Sequence, residues 1–60
     1  MALRNVIDRA FELARTGAYA VAADVAPALA VEGYPEAELR RLRTVDVRRD
    51  LIRVCREAVD

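Results

Sequence analysis

Cys55 is the single cysteine of a 60-residue chain that contains no histidine. These two features rule out an internal disulfide and an ordinary zinc site. A domain of this length buries only about 60% of the surface that its unfolded chain exposes. One core below roughly 70 residues rarely supplies more than ~3–5 kcal/mol of stability. Association with another subunit is therefore the remaining source of extra stability that we expect.

Apolar side chains recur at the three-and-four spacing of a helix over residues 2–16. Val6 and Ala10 belong to this apolar side. Arg4 and Asp8 take the opposite side, four residues apart, where they are predicted to pair weakly. Gly17 is predicted to end the helix as a left-handed cap residue.

Three further helices are predicted, and turn residues separate them. The second segment runs from about Val21, and if its helix begins near Ala23 or Asp24, Pro27 falls in the first turn, where the missing N–H needs no partner. Gly33 closes this helix, Pro35 opens the third, and Thr44 is an N-cap candidate for the fourth. The chain is predicted to form a single all-α domain, a compact bundle of three to four short helices with a helix-turn-helix-like centre. The four predicted helices cover residues 2–16, 21–32, 35–43 and 45–59.

Two of these helices carry more apolar surface than one core requires. On the fourth, a line of apolar residues recurs every seven positions, about 130° from the stripe that contains Leu51. Between residues 21 and 31, Asp24 is the only charge on the second helix. Either the other helices wrap the second one, or helices two and four form a self-associating or partner-binding surface. The candidate interface residues are Val31, Val45, Ile52 and Val59.

The ten basic residues, all arginine, balance ten acids, but the two signs are unevenly placed. Residues 20–38 carry four acids and no base, and residues 39–56 carry seven arginines against two acids. Residues 25–42 also have the layout of a helix-turn-helix. In that layout Glu36 and Glu38 lie at the N-terminal end of the second helix, which would have to approach the DNA phosphates. A net charge of zero also lacks the excess of basic residues expected of a DNA-binding domain. The candidate nucleic-acid-binding residues are Arg40, Arg41 and Arg43.

Part of the sequence resembles a known group of proteins. The run R-A-F-E-L-A-R-T-G over residues 9–17, followed by Leu29 and by E-G-Y over residues 32–34, is similar to short uncharacterised bacterial all-helical proteins. These share an A-F-x-L-A-R-[ST]-G opening and an L-x-x-E-G-Y helix end. The resemblance implies an all-helical fold and a bacterial origin, and it brings no activity. The second helix departs from it, because alanines and Pro27 stand where basic residues are expected.

The residue types argue against catalysis. Without histidine no Ser-His-Asp or Cys-His arrangement can form, and two glycines cannot make a phosphate-binding loop. The longest apolar stretch, residues 18–31, is too short and too interrupted to span a bilayer, and Cys55 is predicted to be a buried hydrophobe. We therefore predict a cytoplasmic, non-enzymatic protein-protein interaction module without cofactor or metal, self-associating through helices two and four. The alternative is a small helix-turn-helix DNA-binding regulator that uses the arginines of residues 40–56.

Overall fold

The computed structural model describes residues 4–59. Over this range the chain forms four α-helices and two 3₁₀ turns. The all-α prediction is confirmed. The longest helix, α4, has 15 residues, and no helix in the described range is long and apolar enough to cross a membrane. In chain order the elements are α1 (Val6–Arg15), a first 3₁₀ turn (Ala22–Asp24), α2 (Val25–Glu32), α3 (Glu36–Leu39), a second 3₁₀ turn (Arg40–Arg43) and α4 (Val45–Val59).

Asn5 fixes the start of α1. Its backbone is not helical (φ −54°, ψ 131°), and its side-chain oxygen accepts a hydrogen bond of 2.9 Å from the N–H of Ile7. This bond satisfies one of the N–H groups that a helix start leaves without a partner. The predicted helical state of Arg4 and Asn5 is therefore wrong, and residues 2 and 3 lie outside the described range. The predicted end is confirmed, since Gly17 has a φ of 79°.

The turn between α2 and α3 has the hydrogen bonds of a Schellman motif. The N–H of Gly33 donates to the carbonyl of Ala30 at 3.1 Å, and the N–H of Tyr34 donates to that of Leu29 at 3.2 Å. Gly33 has a φ of 108°, in the left-handed region that favours glycine. Pro35 then lies in extended backbone directly before α3. The predicted cap at Gly33 and the helix-turn-helix-like centre are thus present.

The segment after this turn differs from its predicted form. The third helix was expected to run over residues 35–43, but only its first turn is α-helical and Arg40–Arg43 is 3₁₀. The hydroxyl of Thr44 donates back to the carbonyl of Arg41 at 3.2 Å. Thr44 does occupy the predicted N-cap position of α4, since its backbone is extended and its carbonyl accepts from the N–H of Arg48 at 2.9 Å. Within residues 4–59, however, no backbone N–H of α4 donates to its hydroxyl.

The core draws side chains from every α-helix. Leu29, Val6, Val25 and Cys55 are its largest fully buried side chains, so the predicted burial of Cys55 is confirmed. Val31, in contrast, is 88% exposed, which means that the other helices do not wrap α2. The buried residues are Val6, Ala10, Leu13, Ala14, Val25, Leu29, Tyr34, Leu39, Leu42, Leu51 and Cys55.

Candidate protein-interaction surface

An apolar groove of about 450 Å³ lies between α4 and the segment formed by the first 3₁₀ turn and the start of α2. The buried Leu39, Leu42 and Leu51 form its floor, and Val21 and Ile52 stand at its walls with 56% and 40% exposure. We call this surface the α2–α4 groove. Its lining residues are Val21, Ala22, Ala23, Ala26, Leu39, Leu42, Arg43, Arg48, Leu51 and Ile52.

The alanine-rich sequence explains why a depression forms here. Ala22 and Ala26 are four residues apart, so they lie on the same side of the continuous helical segment. Both are partly buried against the core. Their methyl groups are too short to fill the space beside α4, whereas Val21 and Ile52 project further. The result is a hollow with small residues along one wall and larger apolar residues at its edges.

The structure places the four candidate interface residues on two different surfaces. Val45, Ile52 and Val59 are exposed by 70%, 40% and 51%, and their seven-residue spacing puts them along one flank of α4. Of these three, Ile52 lines the groove. Val31 lies about 140° around α2 from Ala26 at 100° per residue, so it faces away from the groove.

Val21 is an exposed groove residue that the sequence did not single out. Its contribution depends on the packing of the first 3₁₀ turn against α4, which is a tertiary contact. The only local signal is its position at the start of an alanine-rich stretch. Leu39 and Leu42 serve both as core and as groove floor.

The charged residues of the groove lining are both arginine. Arg43 lies 3.7 Å from Glu36, but these side chains are 72% and 60% exposed, so the pair contributes little. Arg48 has no acidic partner within residues 4–59, and the same holds for Arg49 and Arg56, which lie close to Ile52 around α4. The α4 edge of the groove therefore carries positive charge at Arg48, and Arg49 and Arg56 lie near it on α4.

The candidate nucleic-acid-binding arginines lie in the second 3₁₀ turn. Arg41 contacts Glu38 at 3.1 Å and Arg43 contacts Glu36, so the two glutamates of α3 engage two of the three arginines. Arg40 is exposed and has no ion pair in the described part of the chain. The segment therefore presents less free positive charge than its sequence suggests.

Arg9 and Glu32 form the best-defined ion pair, away from the groove. The Nε and Nη2 groups of Arg9 donate to the two carboxylate oxygens of Glu32, each at 2.9 Å. These hydrogen bonds lower the pKa of Glu32 and raise that of Arg9. Arg4 binds Glu12 at 2.6 Å, so the predicted pairing of Arg4 with Asp8 is wrong. Arg4 lies before the start of α1, so the i,i+4 geometry of a helix does not apply to it.

A smaller depression of about 330 Å³ lies where residues 4–6 meet the α2–α3 turn. Its charged lining residues already have partners, since Arg4 binds Glu12 and Arg41 binds Glu38. The hydroxyl of Tyr34, at the same place, donates to the carbonyl of Arg4 at 2.8 Å. This depression therefore offers fewer unsatisfied groups to a ligand than the groove does.

The chemistry available elsewhere in the described residues is limited. Burial raises the pKa of the Cys55 thiol, which disfavours the reactive thiolate. Residues 4–59 contain no cluster of three or more acidic or cysteine side chains that could hold a metal ion. Comparisons with protein-family models, with curated proteins and with solved structures find no match to the chain. The resemblance to short bacterial helical proteins therefore stays a prediction.

Proposed function

We propose that the protein is a non-enzymatic protein-protein interaction module that binds its partner in the α2–α4 groove. The observation that carries this proposal is that Val21 and Ile52, two exposed apolar residues, line the same apolar hollow, which has a floor of buried leucines. Contiguous exposed apolar surface of this kind is typical of interaction sites. Partner side chains entering the hollow would cover apolar surface that water now contacts, which favours binding.

The shape of the surface supports a helical partner. A groove between two helical segments accepts the apolar side chains of a third helix at positions i, i+3 or i+4, and i+7. Val45 and Val59 extend the apolar flank of α4 by one seven-residue step on either side of Ile52, so a helix lying along α4 would meet further apolar contacts. Self-association through helices two and four is one form of this function.

The DNA-binding alternative receives less support from the geometry. A recognition helix approaches DNA with its N-terminal residues, and here that end carries Glu36 and Glu38, which hold Arg43 and Arg41. α3 has only four residues before the backbone becomes 3₁₀. We also propose a cytoplasmic location, which a lone free cysteine supports.

Two measurements on the intact protein test the proposed function. The first is the solution mass by light scattering from micromolar to millimolar concentration. The second is an NMR titration of the labelled protein with a neutral amphipathic helical peptide of about 18 residues, long enough to form a helix, with leucine at the helical spacing and glutamine elsewhere. We expect an oligomer, or peptide-induced shifts concentrated at the groove residues.

Ile52→Ser is the matched test variant, and Val31→Ser, which changes a valine facing away from the groove, is its control. Ile52→Ser should weaken the association and Val31→Ser should leave it unchanged. A protein that stays monomeric at millimolar concentration and shows no groove shifts with the peptide would overturn the proposal.

A further inference from the structure

We infer that the groove takes an acidic amphipathic helix of another protein, with apolar residues on one face flanked by aspartate or glutamate. This inference rests on the proposed function and specifies its partner. The observation behind it is the distribution of charge around the apolar flank of α4.

Arginines border Ile52 on both sides of α4. At 100° per residue, Arg48 lies about 40° to one side, and Arg56 and Arg49 lie about 40° and 60° to the other. The acids of the helix are all turned away. At 100° per residue, these acids lie about 120–160° around α4 from Ile52; they are Asp46, Asp50 and Glu57.

The arginines beside Ile52 also lack partners within the described residues. Arg53, which lies further round the helix, pairs with both Asp50 and Glu57 at 3.7 Å. Asp50 and Glu57 are thus directed to Arg53, and within residues 4–59 Arg48, Arg49 and Arg56 have no ion pair. This arrangement places positive charge on both sides of the apolar flank of α4 that Val45, Ile52 and Val59 form. Carboxylates flanking an apolar helical stripe complement it.

The same charges disfavour a second copy of this chain in the groove. In an antiparallel pairing of two α4 helices centred on Ile52, Val45 would meet Val59 of the second copy. Arg49 would then lie beside Arg56 of that copy in both halves of the pair, because these two arginines project to the same side of Ile52. Like charges facing each other across an interface oppose binding. A separate helix that carries acids meets the same apolar contacts without this repulsion.

The test compares three versions of one peptide of about 18 residues on the wild-type protein. All three have leucine at the helical spacing, and the positions beside the leucines carry glutamate, glutamine or lysine. An exposed ion pair changes affinity by up to several-fold. We therefore expect the glutamate peptide to bind roughly tenfold more tightly than the glutamine peptide, and the lysine peptide to bind more weakly than both. Added salt should reduce these differences.

Arg48→Glu should remove the preference for the glutamate peptide, and Arg15→Glu serves as the control because Arg15 is exposed and does not line the groove. Circular dichroism confirms that each variant is folded. Equal affinity for the three peptides, bound in the groove, would overturn the acidic-partner inference and leave the proposed function standing. If the wild type is a dimer and Ile52→Ser converts it to a monomer, the groove takes a second copy of this chain. That result would also overturn the acidic-partner inference and leave the proposed function standing. No binding of any peptide by a monomeric protein would overturn both.

Discussion

Arg9 clamps Glu32 with two parallel hydrogen bonds of 2.9 Å and so joins the first helix to the end of the second, 23 residues further along the chain. The guanidinium lowers the pKa of Glu32 below its ordinary value of 4.5. A carboxylate whose pKa is lower in the folded state adds stability above its unfolded pKa, and this stability is lost as the pH falls through the folded pKa.

Glu32→Gln should therefore lower the melting temperature at pH values above about 4.5. At more acidic pH the Glu32 carboxylate of the wild type is protonated and loses its charge, so the difference in melting temperature between wild type and variant should shrink. Thermal melts followed by circular dichroism across this range measure the effect. Glu57→Gln is the control, because Glu57 is 70% exposed and lies 3.7 Å from Arg53. A difference that stays constant into acid would show that the ion pair is not its cause.

Tyr34→Phe tests the hydrogen bond that ties the α2–α3 turn to the chain before α1. The variant loses the 2.8 Å bond from the tyrosine hydroxyl to the carbonyl of Arg4. We expect a loss of about 0.5–1.5 kcal/mol in the free energy of unfolding, measured by urea denaturation. Tyr19→Phe is the control, since that ring is only partly buried at the edge of the core. Equal effects of the two changes would contradict the assigned role of Tyr34.

Alanine substitutions at Gly17 and Gly33 allow backbone strain alone to be compared with backbone strain plus a steric clash. Both have a positive φ, where a side chain costs about 1–2 kcal/mol. A Cβ atom at Gly17 would also lie 3.1 Å from the carbonyl oxygen of Ala58, whereas one at Gly33 meets nothing within 4 Å. Gly17→Ala should therefore destabilise the protein more than Gly33→Ala in urea denaturation. The reverse order would show that the last turn of α4 moves aside easily.

Cys55 should behave as a buried hydrophobic residue. Its side chain is fully buried, and burial raises the pKa of its thiol. Cys55→Ala or Cys55→Val should cost no more than ~1–2 kcal/mol and leave the fold unchanged. A thiol reagent should modify the native protein far more slowly than the unfolded protein in denaturant. Rapid modification of the native thiol would contradict this role.

Duplex DNA should bind weakly, because Glu36 and Glu38 already engage two of the three candidate arginines. We expect no affinity tighter than the ~10⁻⁴–10⁻⁶ M of non-specific contacts at physiological salt. Fluorescence titrations at low and physiological salt test this, and Arg41→Ala should change little. A nanomolar, sequence-selective complex that Arg41→Ala abolishes would instead support the helix-turn-helix regulator.

Local patterns in the sequence predicted most of the fold. The spacing of apolar residues located the helices, and Gly17 and Gly33 marked two of their ends, because these signals depend on neighbouring residues. Asn5 was missed as a cap because the apolar spacing continues through residue 3, which made the helix seem to begin earlier. The switch from α to 3₁₀ at Arg40 has no comparable local signal.

The candidate site was predicted only in part. The seven-residue repeat marked the flank of α4 that contains Ile52 as surplus apolar surface, and this flank is exposed. The opposite wall of the groove depends on how the first 3₁₀ turn packs. Val31 was grouped with Ile52 because both belong to overly apolar helices, and composition does not say which way a side chain faces. Arg9 and Glu32 come together only through the packing of α1 against α2.

The floor of the groove consists of Leu39, Leu42 and Leu51, which are also core residues. A change at the floor therefore alters the folding of the whole domain together with binding, whereas Val21, Ile52, Arg43 and Arg48 are exposed, so changes there disturb the core less. Affinity for a new partner can thus be changed at the edges while the interior stays constant. Proteins built on this fold would be expected to diversify their choice of partner through those four positions, and a designer could redirect binding there without re-engineering stability.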